Sequence, residues 1–180
     1  MVNLLSKSLA IAVPYALMSQ SITALDLKGT VYETAGRHYQ IDPLLLYSIS
    51  IAESGKSSAS GFVKPTPLVI RTPEGPIFFN DLPHAVGTLR DQRSRFESID
   101  VGLMQINIKY HPKADPVRLF DPNYSVHYAA SYLRTCLDST QDPIEGVGRY
   151  HNWETARSRW YGERVWGIYS RIKNTNQQQQ

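Results

Sequence analysis

Apolar residues recur at helical spacing along most of this 180-residue chain. Residues 43–54 are apolar on nearly every side, so we expect a helix that is buried all round. Residues 121–138 carry apolar side chains at positions i and i+4, which is typical of an amphipathic helix. Further helices are predicted over residues 27–40, 83–97, 143–150 and 155–173. The pattern therefore predicts a mainly α fold.

Asp-Pro dipeptides mark where several of these helices should begin. An Asp side chain accepts a hydrogen bond from the first turn, and Pro fits the first helical position. Gly55 follows the second helix and is expected to end it as a C-cap. The four dipeptides lie at residues 42–43, 115–116, 121–122 and 142–143, and each is predicted to start a helix.

One segment departs from the helical pattern. Residues 68–71 and 76–79 are short runs of β-type residues. The residues between them, Thr-Pro-Glu-Gly at 72–75, are typical of a turn. We therefore predict a β-hairpin inserted in a mainly α domain.

The two ends of the chain differ from the middle. Residues 9–18 are mostly apolar behind the single charge of Lys7, which is typical of an export signal cleaved after Ala24. An uncleaved anchor is the alternative, although the apolar run is shorter than a normal membrane span. We divide the chain into a signal over residues 1–24, one domain over residues 25–173 and a disordered, Gln-rich tail over residues 174–180.

Charge and side-chain chemistry exclude several classes of function. Removal of the signal would lower the formal net charge from +3 to +2, which is not a nucleic-acid signature but suits weak attraction to an acidic polymer. Cys136 is the single cysteine and is expected to be a buried, inert thiol. No Gly-rich phosphate loop is present, and no metal or other cofactor is predicted. The five histidines have no metal-ligand spacing: His38, His84, His111, His127 and His151.

Glu53 is the residue that requires a chemical explanation. It lies in the last turn of a helix that is otherwise built for burial. Burial and the negative end of the helix dipole both disfavour a carboxylate, so they raise the pKa toward neutrality. A general acid needs such a pKa. The alternative is a Glu that reaches the surface at the helix end.

Three short motifs occur in order along the chain. They are Glu-Ser at 53–54, Gly-Leu-Met-Gln at 102–105, and Tyr-His-Asn-Trp at 150–153. On these motifs the chain resembles the soluble lytic transglycosylase family of the lysozyme-like superfamily. The last motif, followed by an Arg- and Trp-rich helix, is most similar to small transglycosylases associated with conjugation and type IV secretion. The resemblance implies a lysozyme-like α+β fold.

The resemblance also implies a reaction on peptidoglycan glycan strands in the periplasm. Glu53 would protonate the oxygen between N-acetylmuramic acid (MurNAc) and N-acetylglucosamine (GlcNAc). As a carboxylate it would then take the proton of the MurNAc C6 hydroxyl, which closes a 1,6-anhydro ring. The pathway uses neither water nor the second carboxylate of ordinary glycosidases. Parts of a conjugation or secretion apparatus are possible partners on this resemblance.

The remaining motif residues would support Glu53 or bind substrate. Ser54 would orient Glu53 or touch the sugar, or else bond a backbone carbonyl. Met104 and Gln105 would line the groove floor; their alternatives are core packing and a turn. Tyr150 would hold the Glu53 carboxyl by a hydrogen bond or simply pack in the core, and His151 has no catalytic role. The supporting set is Ser54, Gly102, Leu103, Met104, Gln105 and Tyr150.

Two departures from the family pattern stand out. The gap between Glu53 and Gly102 is about twice the usual length, so residues of about 56–98 form an insertion that could build a groove wall or dock a partner. His151 stands where the family has Asn. Two other functions stay open: a lysozyme-type hydrolase, which would use Asp100 or Glu97 as its second carboxylate, and a non-catalytic wall-binding scaffold.

Overall fold

The computed structural model describes residues 24–58 and 62–178. Within them, six α-helices surround one core and two small antiparallel sheets lie at its side. The helices are α1 (Val31–Tyr39), α2 (Pro43–Ser54), α3 (Leu82–Arg93), α4 (Pro122–Asp138), α5 (Pro143–His151) and α6 (Thr155–Gln177). The strands are β1 (Gly55–Ser57), β2 (Val63–Pro65), β3 (Val69–Thr72), β4 (Gly75–Phe78), β5 (Asp100–Val101) and β6 (Ile106–Asn107). The mainly α, lysozyme-like fold predicted from the sequence is confirmed.

The core forms where α2 lies among the other helices. Helix α6 packs along α5 and α2, and α4 packs against α1 and α5. Leu46 and Ile49 of α2 are fully buried, as are Leu133 of α4 and Val165 of α6. Because α2 is enclosed on most sides, its last turn and Glu53 are held in a fixed position within the domain.

Three of the four Asp-Pro dipeptides begin helices as predicted. The side chains of Asp42, Asp121 and Asp142 accept hydrogen bonds from backbone N–H groups in the first turns of α2, α4 and α5. The prediction at Asp115 was wrong: its carboxylate accepts from the N–H groups of Val117 and Arg118, and only a single 3-10 turn, Arg118–Phe120, follows. That turn cannot extend, since the residue before Pro122 is driven into an extended conformation and a new helix starts there.

The predicted hairpin is confirmed as β3 and β4, which pair antiparallel around a turn that places Thr72 opposite Gly75. The strand that pairs with the other edge of β3 was not predicted. Strand β3 also pairs with β5, which gives the sheet order β4-β3-β5-β6. The Gly-Leu-Met-Gln motif is the turn between β5 and β6, so the insertion is attached directly to this motif.

The ends of the described chain meet each other. Helix α6 continues to Gln177, so the prediction of a disordered tail from residue 174 was wrong over residues 174–177. The reason is a paired contact: the Asn176 side chain accepts from the Leu25 N–H and donates to the Leu25 carbonyl, both at 2.9 Å. The predicted export signal lies outside the described residues except for Ala24. No helix in residues 24–58 or 62–178 is long and apolar enough to cross a membrane.

Candidate active site

A cleft of about 950 Å³ opens at the carboxyl end of α2. Its walls come from α2, from β3 of the insertion, from the β5–β6 hairpin and from the segments α4 to α6. The side chains with acid–base or hydrogen-bonding chemistry in it include Glu53, Arg71, Asp100, Gln105, Tyr150 and Tyr161. The insertion contributes one side chain, that of Arg71, to the lining of the cleft.

Glu53 lies at the base of this cleft as a half-buried carboxyl. Burial raises its pKa from 4.5 to about 7. The hydrogen bond from Tyr161 opposes this rise, the negative charge of Asp100 adds to it, and the positive charges of Arg164 and Arg71 oppose it. A carboxyl with this pKa is present both as acid and as base near neutral pH.

Tyr161 of α6 holds the Glu53 carboxyl. Its hydroxyl donates a hydrogen bond of 2.5 Å to Oε1 of Glu53. The ring is buried, and burial raises the pKa of its hydroxyl well above the usual value, so Tyr161 stays a donor. Sequence reasoning missed this residue, although Tyr161, Val165 and Tyr169 form a buried i, i+4, i+8 stripe along α6.

Tyr150 has a different role from the one expected. Its hydroxyl donates to the carbonyl of Met104 at 2.8 Å, so it does not make the predicted hydrogen bond to Glu53. The ring is buried and its edge lines the cleft. Tyr150 thus supports the Gly-Leu-Met-Gln turn through this hydrogen bond. The tyrosine that contacts Glu53 is Tyr161 of α6.

Ser54 faces away from the cleft. Its hydroxyl donates to the carbonyl of Leu103 at 2.7 Å and lies 3.1 Å from the carbonyl of Ser50, and it accepts from the N–H of Thr66 at 3.2 Å. The backbone-bonding alternative is therefore the one observed. The contact joins the helix end that carries Glu53 to the turn at residues 102–105.

The Gly-Leu-Met-Gln turn depends on its glycine. Gly102 has φ +77°, and a Cβ there would lie 1.9 Å from the carbonyl oxygen of Leu119. Leu103 and Met104 are buried in the core, so Met104 packs there and is not part of the groove floor. Gln105, with φ 46°, lines the cleft; its amide donates to the Gly102 carbonyl at 2.9 Å.

The oxygen of the Gln105 side chain has no hydrogen-bond partner in the described part of the chain. Gln105 is only 8% exposed, and a buried acceptor without a partner costs free energy. Because this side chain lines the cleft, a ligand group there could satisfy it.

Of the two candidate second carboxylates, one lies in the cleft. Asp100 of β5 lines it and accepts a hydrogen bond from Asn107 at 2.8 Å. Burial raises the pKa of Asp100, while Asn107 and the charges of Arg71 and His151 oppose the rise. Glu97 is exposed and pairs with Lys109 at 2.9 Å, so it takes no part in the site.

Exposed aromatic rings border the cleft. Trp153 and Trp160 are 56% and 59% exposed and line it on the α5–α6 side. The Trp153 indole N–H donates to the hydroxyl of Tyr132 at 3.1 Å, which holds this ring in place. His151 stacks on Tyr161 with ring centroids 4.7 Å apart, and burial lowers its pKa. Flat apolar rings at a polar cleft suit sugar binding.

The described residues contain no cluster of three His, Cys, Asp or Glu side chains that could hold a metal ion. Cys136 is buried as predicted, and burial raises the pKa of its thiol to about 11, so it is an inert thiol.

Comparison with protein families gives the family of the chain. The family model of the transglycosylase SLT domain matches residues 30–171, which is most of the domain expected at residues 25–173. A comparison with curated proteins finds no match. The matched range contains every residue that lines the cleft, from Ala52 to Arg164. The chain therefore belongs to the SLT family, whose transglycosylase-type domains act on peptidoglycan.

Proposed function

We propose that this protein is a peptidoglycan lytic transglycosylase that cleaves the β-1,4 bond from MurNAc to GlcNAc. Glu53 gives its proton to the GlcNAc O4 as the C1–O4 bond breaks. The MurNAc C6 oxygen then bonds to C1, and its proton returns to Glu53. The products are a free GlcNAc end and a 1,6-anhydro-MurNAc end, with no water consumed.

The observation that carries this proposal is the state of the Glu53 carboxyl. Burial raises its pKa to about 7, and the Tyr161 hydroxyl fixes one of its oxygens. The same group must act first as acid and then as base, which is most efficient when its pKa lies near the working pH. The Tyr161 bond keeps the carboxyl in one orientation through both steps.

Other groups in the cleft support a sugar substrate. Gln105 lines the cleft, and its buried, unpartnered oxygen would accept from a sugar hydroxyl or an N-acetyl N–H if the side chain turned toward the ligand. Trp153 and Trp160 offer exposed rings on which successive sugars could stack. Ser54, Gly102, Leu103, Met104 and Tyr150 support the site indirectly, because they shape and brace the turn that carries Gln105.

The setting of the reaction is also part of the proposal. Peptidoglycan lies outside the cytoplasmic membrane, so this protein acts there, and the signal expected over residues 1–24 would take it to the periplasm. The resemblance at residues 150–153 and in α6 favours local opening of the wall during assembly of a conjugation or secretion apparatus. A genomic neighbourhood without envelope-machine genes would argue against this role.

The direct test is Glu53→Gln on purified glycan strands. The amide keeps the shape but has no acid proton, so cleavage should fall by about a thousandfold or more. The matched control is Glu97→Gln, an exposed carboxyl outside the cleft that should cleave like the wild type. If Glu53→Gln cleaves normally, the mechanism is wrong; if the wild type itself cleaves nothing, the scaffold function is favoured.

A lysozyme-type hydrolase is the second candidate, because Asp100 lies in the same cleft as Glu53. The negative charge of Asp100 raises the pKa of Glu53. A hydrolase needs this arrangement, in which one carboxyl keeps its proton and the other is ionised. Mass spectrometry of the products separates the two reactions. Anhydro ends without oxygen from solvent support the transglycosylase, and reducing ends that carry ¹⁸O from labelled water support the hydrolase.

A further inference from the structure

The ring of His151 lies flat on the ring of Tyr161. Their planes are 8° from parallel and their centroids are 4.7 Å apart, a distance that is typical of offset stacking. The other ring pairs in residues 24–58 and 62–178 are tilted or edge-on, with interplanar angles of 37° or more. The one parallel pair thus includes the tyrosine that holds the Glu53 carboxyl.

The helices that carry these two rings, α5 and α6, are in close backbone contact. A Cβ on Gly148 would lie 2.0 Å from the carbonyl oxygen of Ser158, and a Cβ on Gly162 would lie 2.0 Å from that of Ile144. Contacts of this kind leave little room for one helix to move along the other. The backbone therefore fixes where each ring begins, and the side-chain torsions decide where each ring points.

The stack constrains the side chain of Tyr161. The Tyr161 ring is only 2% exposed, whereas His151 is an exposed residue that lines the cleft and covers one face of that ring. A movement that takes the Tyr161 hydroxyl away from Oε1 of Glu53 would also reduce the overlap of the two rings. Because stacked rings attract each other, the contact opposes such a movement and keeps the 2.5 Å hydrogen bond in place.

The contact of His151 is made by a neutral ring. Its ring nitrogens form no hydrogen bond with any residue in the two described ranges. Burial lowers the pKa of His151; the negative charge of Asp100 opposes this change, and the positive charges of Arg164 and Arg157 add to it. The imidazole is therefore uncharged near neutral pH, and it stacks on Tyr161 without adding a positive charge to the cleft.

We propose that His151 is a positioning residue, which holds the Tyr161 hydroxyl on the Glu53 carboxyl by stacking on the tyrosine ring. This role rests on the proposed function, in which Glu53 must keep one orientation as acid and then as base. The Asn that the family has at this position contains no ring, so it cannot make the contact. The histidine at residue 151 thus adds a constraint on the site that the usual family residue does not supply.

The first test compares two substitutions of His151 on purified glycan strands. His151→Phe keeps a flat ring and removes both ring nitrogens, so kcat should stay within about twofold of the wild type. His151→Asn removes the ring, so kcat should fall by about three- to tenfold, as for the loss of one stacked pair, with KM within about twofold. Equal losses of kcat in the two variants would overturn the proposal, because the ring nitrogens would then be the groups that matter.

A double-mutant cycle tests whether His151 acts through the Tyr161 hydroxyl. In Tyr161→Phe the ring is still present, but it has no hydroxyl to position. His151→Asn should therefore lower kcat by less than about twofold in the Tyr161→Phe background, compared with three- to tenfold in the wild-type background. The same loss in both backgrounds would mean that His151 acts independently of Tyr161, and this would overturn the proposal.

His84→Asn is the matched control for His151→Asn. His84 is exposed on α3, does not line the cleft, and meets the ring of Phe79 edge-on at 69°. The same change of side chain there should leave both kcat and KM unchanged. A loss of kcat in His84→Asn as large as that in His151→Asn would contradict a role that depends on the parallel stack.

A measurement without substrate separates failure of this positioning role from failure of the proposed function. The pKa of Glu53 is measured by carbon NMR of the labelled carboxyl in the wild type and in Tyr161→Phe, each with and without His151→Asn. Water admitted by the smaller Asn side chain affects both backgrounds. The difference between the two changes in pKa therefore isolates the hydrogen bond from Tyr161.

The change in the Glu53 pKa caused by His151→Asn should be more positive by about half a unit when the Tyr161 hydroxyl is present, because the weakened bond favoured the charged carboxylate. This result would support the positioning role even if the protein cleaves no glycan. Equal changes in the two backgrounds would contradict the positioning role, whatever the rate of cleavage.

Discussion

The hydroxyl of Tyr161 lies 2.5 Å from Oε1 of Glu53, although 108 positions separate the two residues in the sequence. The bond joins the middle of α6 to the last turn of α2. The bond orients the carboxyl of Glu53. It also lowers the pKa of that carboxyl, whereas burial raises it. The site therefore balances the partial burial of Glu53 against one strong donor.

Tyr161→Phe should remove the donor and keep the ring. The pKa of Glu53 then rises by about one further unit, because the bond favoured the charged form. The alkaline limb of the pH–rate profile should move to higher pH by the same amount. The rate at the optimum should fall by about ten- to a hundredfold, since the carboxyl loses its orientation. A pH–rate profile on purified glycan measures both effects.

Tyr169→Phe is the control for this prediction. Tyr169 lies on the same helix, and its hydroxyl also donates to a carboxylate, that of Asp42, at 2.7 Å. That carboxylate caps α2 and is not in the cleft, so the variant should lose a little stability and keep the pH profile. An alkaline limb that does not move in Tyr161→Phe would contradict the assigned role of Tyr161.

Asp100→Asn should move the alkaline limb in the other direction. The negative charge of Asp100 raises the pKa of Glu53, so its removal lowers that pKa, by about half to one unit. The amide can still bond Asn107 across the β5–β6 pair. If the enzyme is a transglycosylase, anhydro products should persist in this variant. Complete loss of activity with normal folding would instead favour a hydrolase in which Asp100 handles water.

The parts of this site that the sequence predicted are those with local signals. The α2 helix has an Asp-Pro start, an apolar interior and a Gly55 cap, so its bounds and the position of Glu53 could be derived. Gly102 could be singled out as part of the Gly-Leu-Met-Gln motif, although the neighbour that its backbone approaches, Leu119, could not.

The parts that were missed depend on contacts between distant elements. Tyr161 and Tyr150 are both buried tyrosines, and only the packing of α6 against α2 decides which one reaches Glu53. Asp100 enters the cleft because β3 of the insertion pairs with β5. The spacing of residues along the chain does not predict that pairing. The sequence alone therefore could not decide whether Asp100 or Glu97 lies in the cleft.

Gly102→Ala should destabilise the domain strongly. Its φ of +77° disfavours any Cβ, and that Cβ would lie 1.9 Å from the Leu119 carbonyl oxygen. Backbone has to move, so we expect a loss of about 3 kcal/mol or more in the free energy of unfolding. Gly167→Ala on α6 is the control: nothing lies within 4 Å, and it should be neutral or stabilising by up to about 1 kcal/mol. Urea unfolding measures both.

Glu53→Gln should make the protein more stable above neutral pH. In the wild type the pKa of Glu53 is about 7 when folded and near 4.5 when unfolded. Between these values the unfolded chain gives up the proton while the folded chain keeps it. The wild-type free energy of unfolding therefore falls as pH rises from 4.5 to 7 and then levels off.

Glu53→Gln lacks this loss, so the difference in free energy of unfolding between the variant and the wild type should grow across that window to about 1–3 kcal/mol. Because water in the cleft screens the half-buried carboxyl, we expect a value toward the lower end. Urea unfolding at pH 4, 5.5, 7 and 8.5 measures the difference. Glu97→Gln should show no such change between pH 4.5 and 7, because Lys109 lowers the pKa of that exposed carboxyl and its effect on stability is confined to pH values below 4.5. A stability difference between Glu53→Gln and the wild type that does not change with pH would mean that the Glu53 carboxyl is not held in an environment that favours its proton.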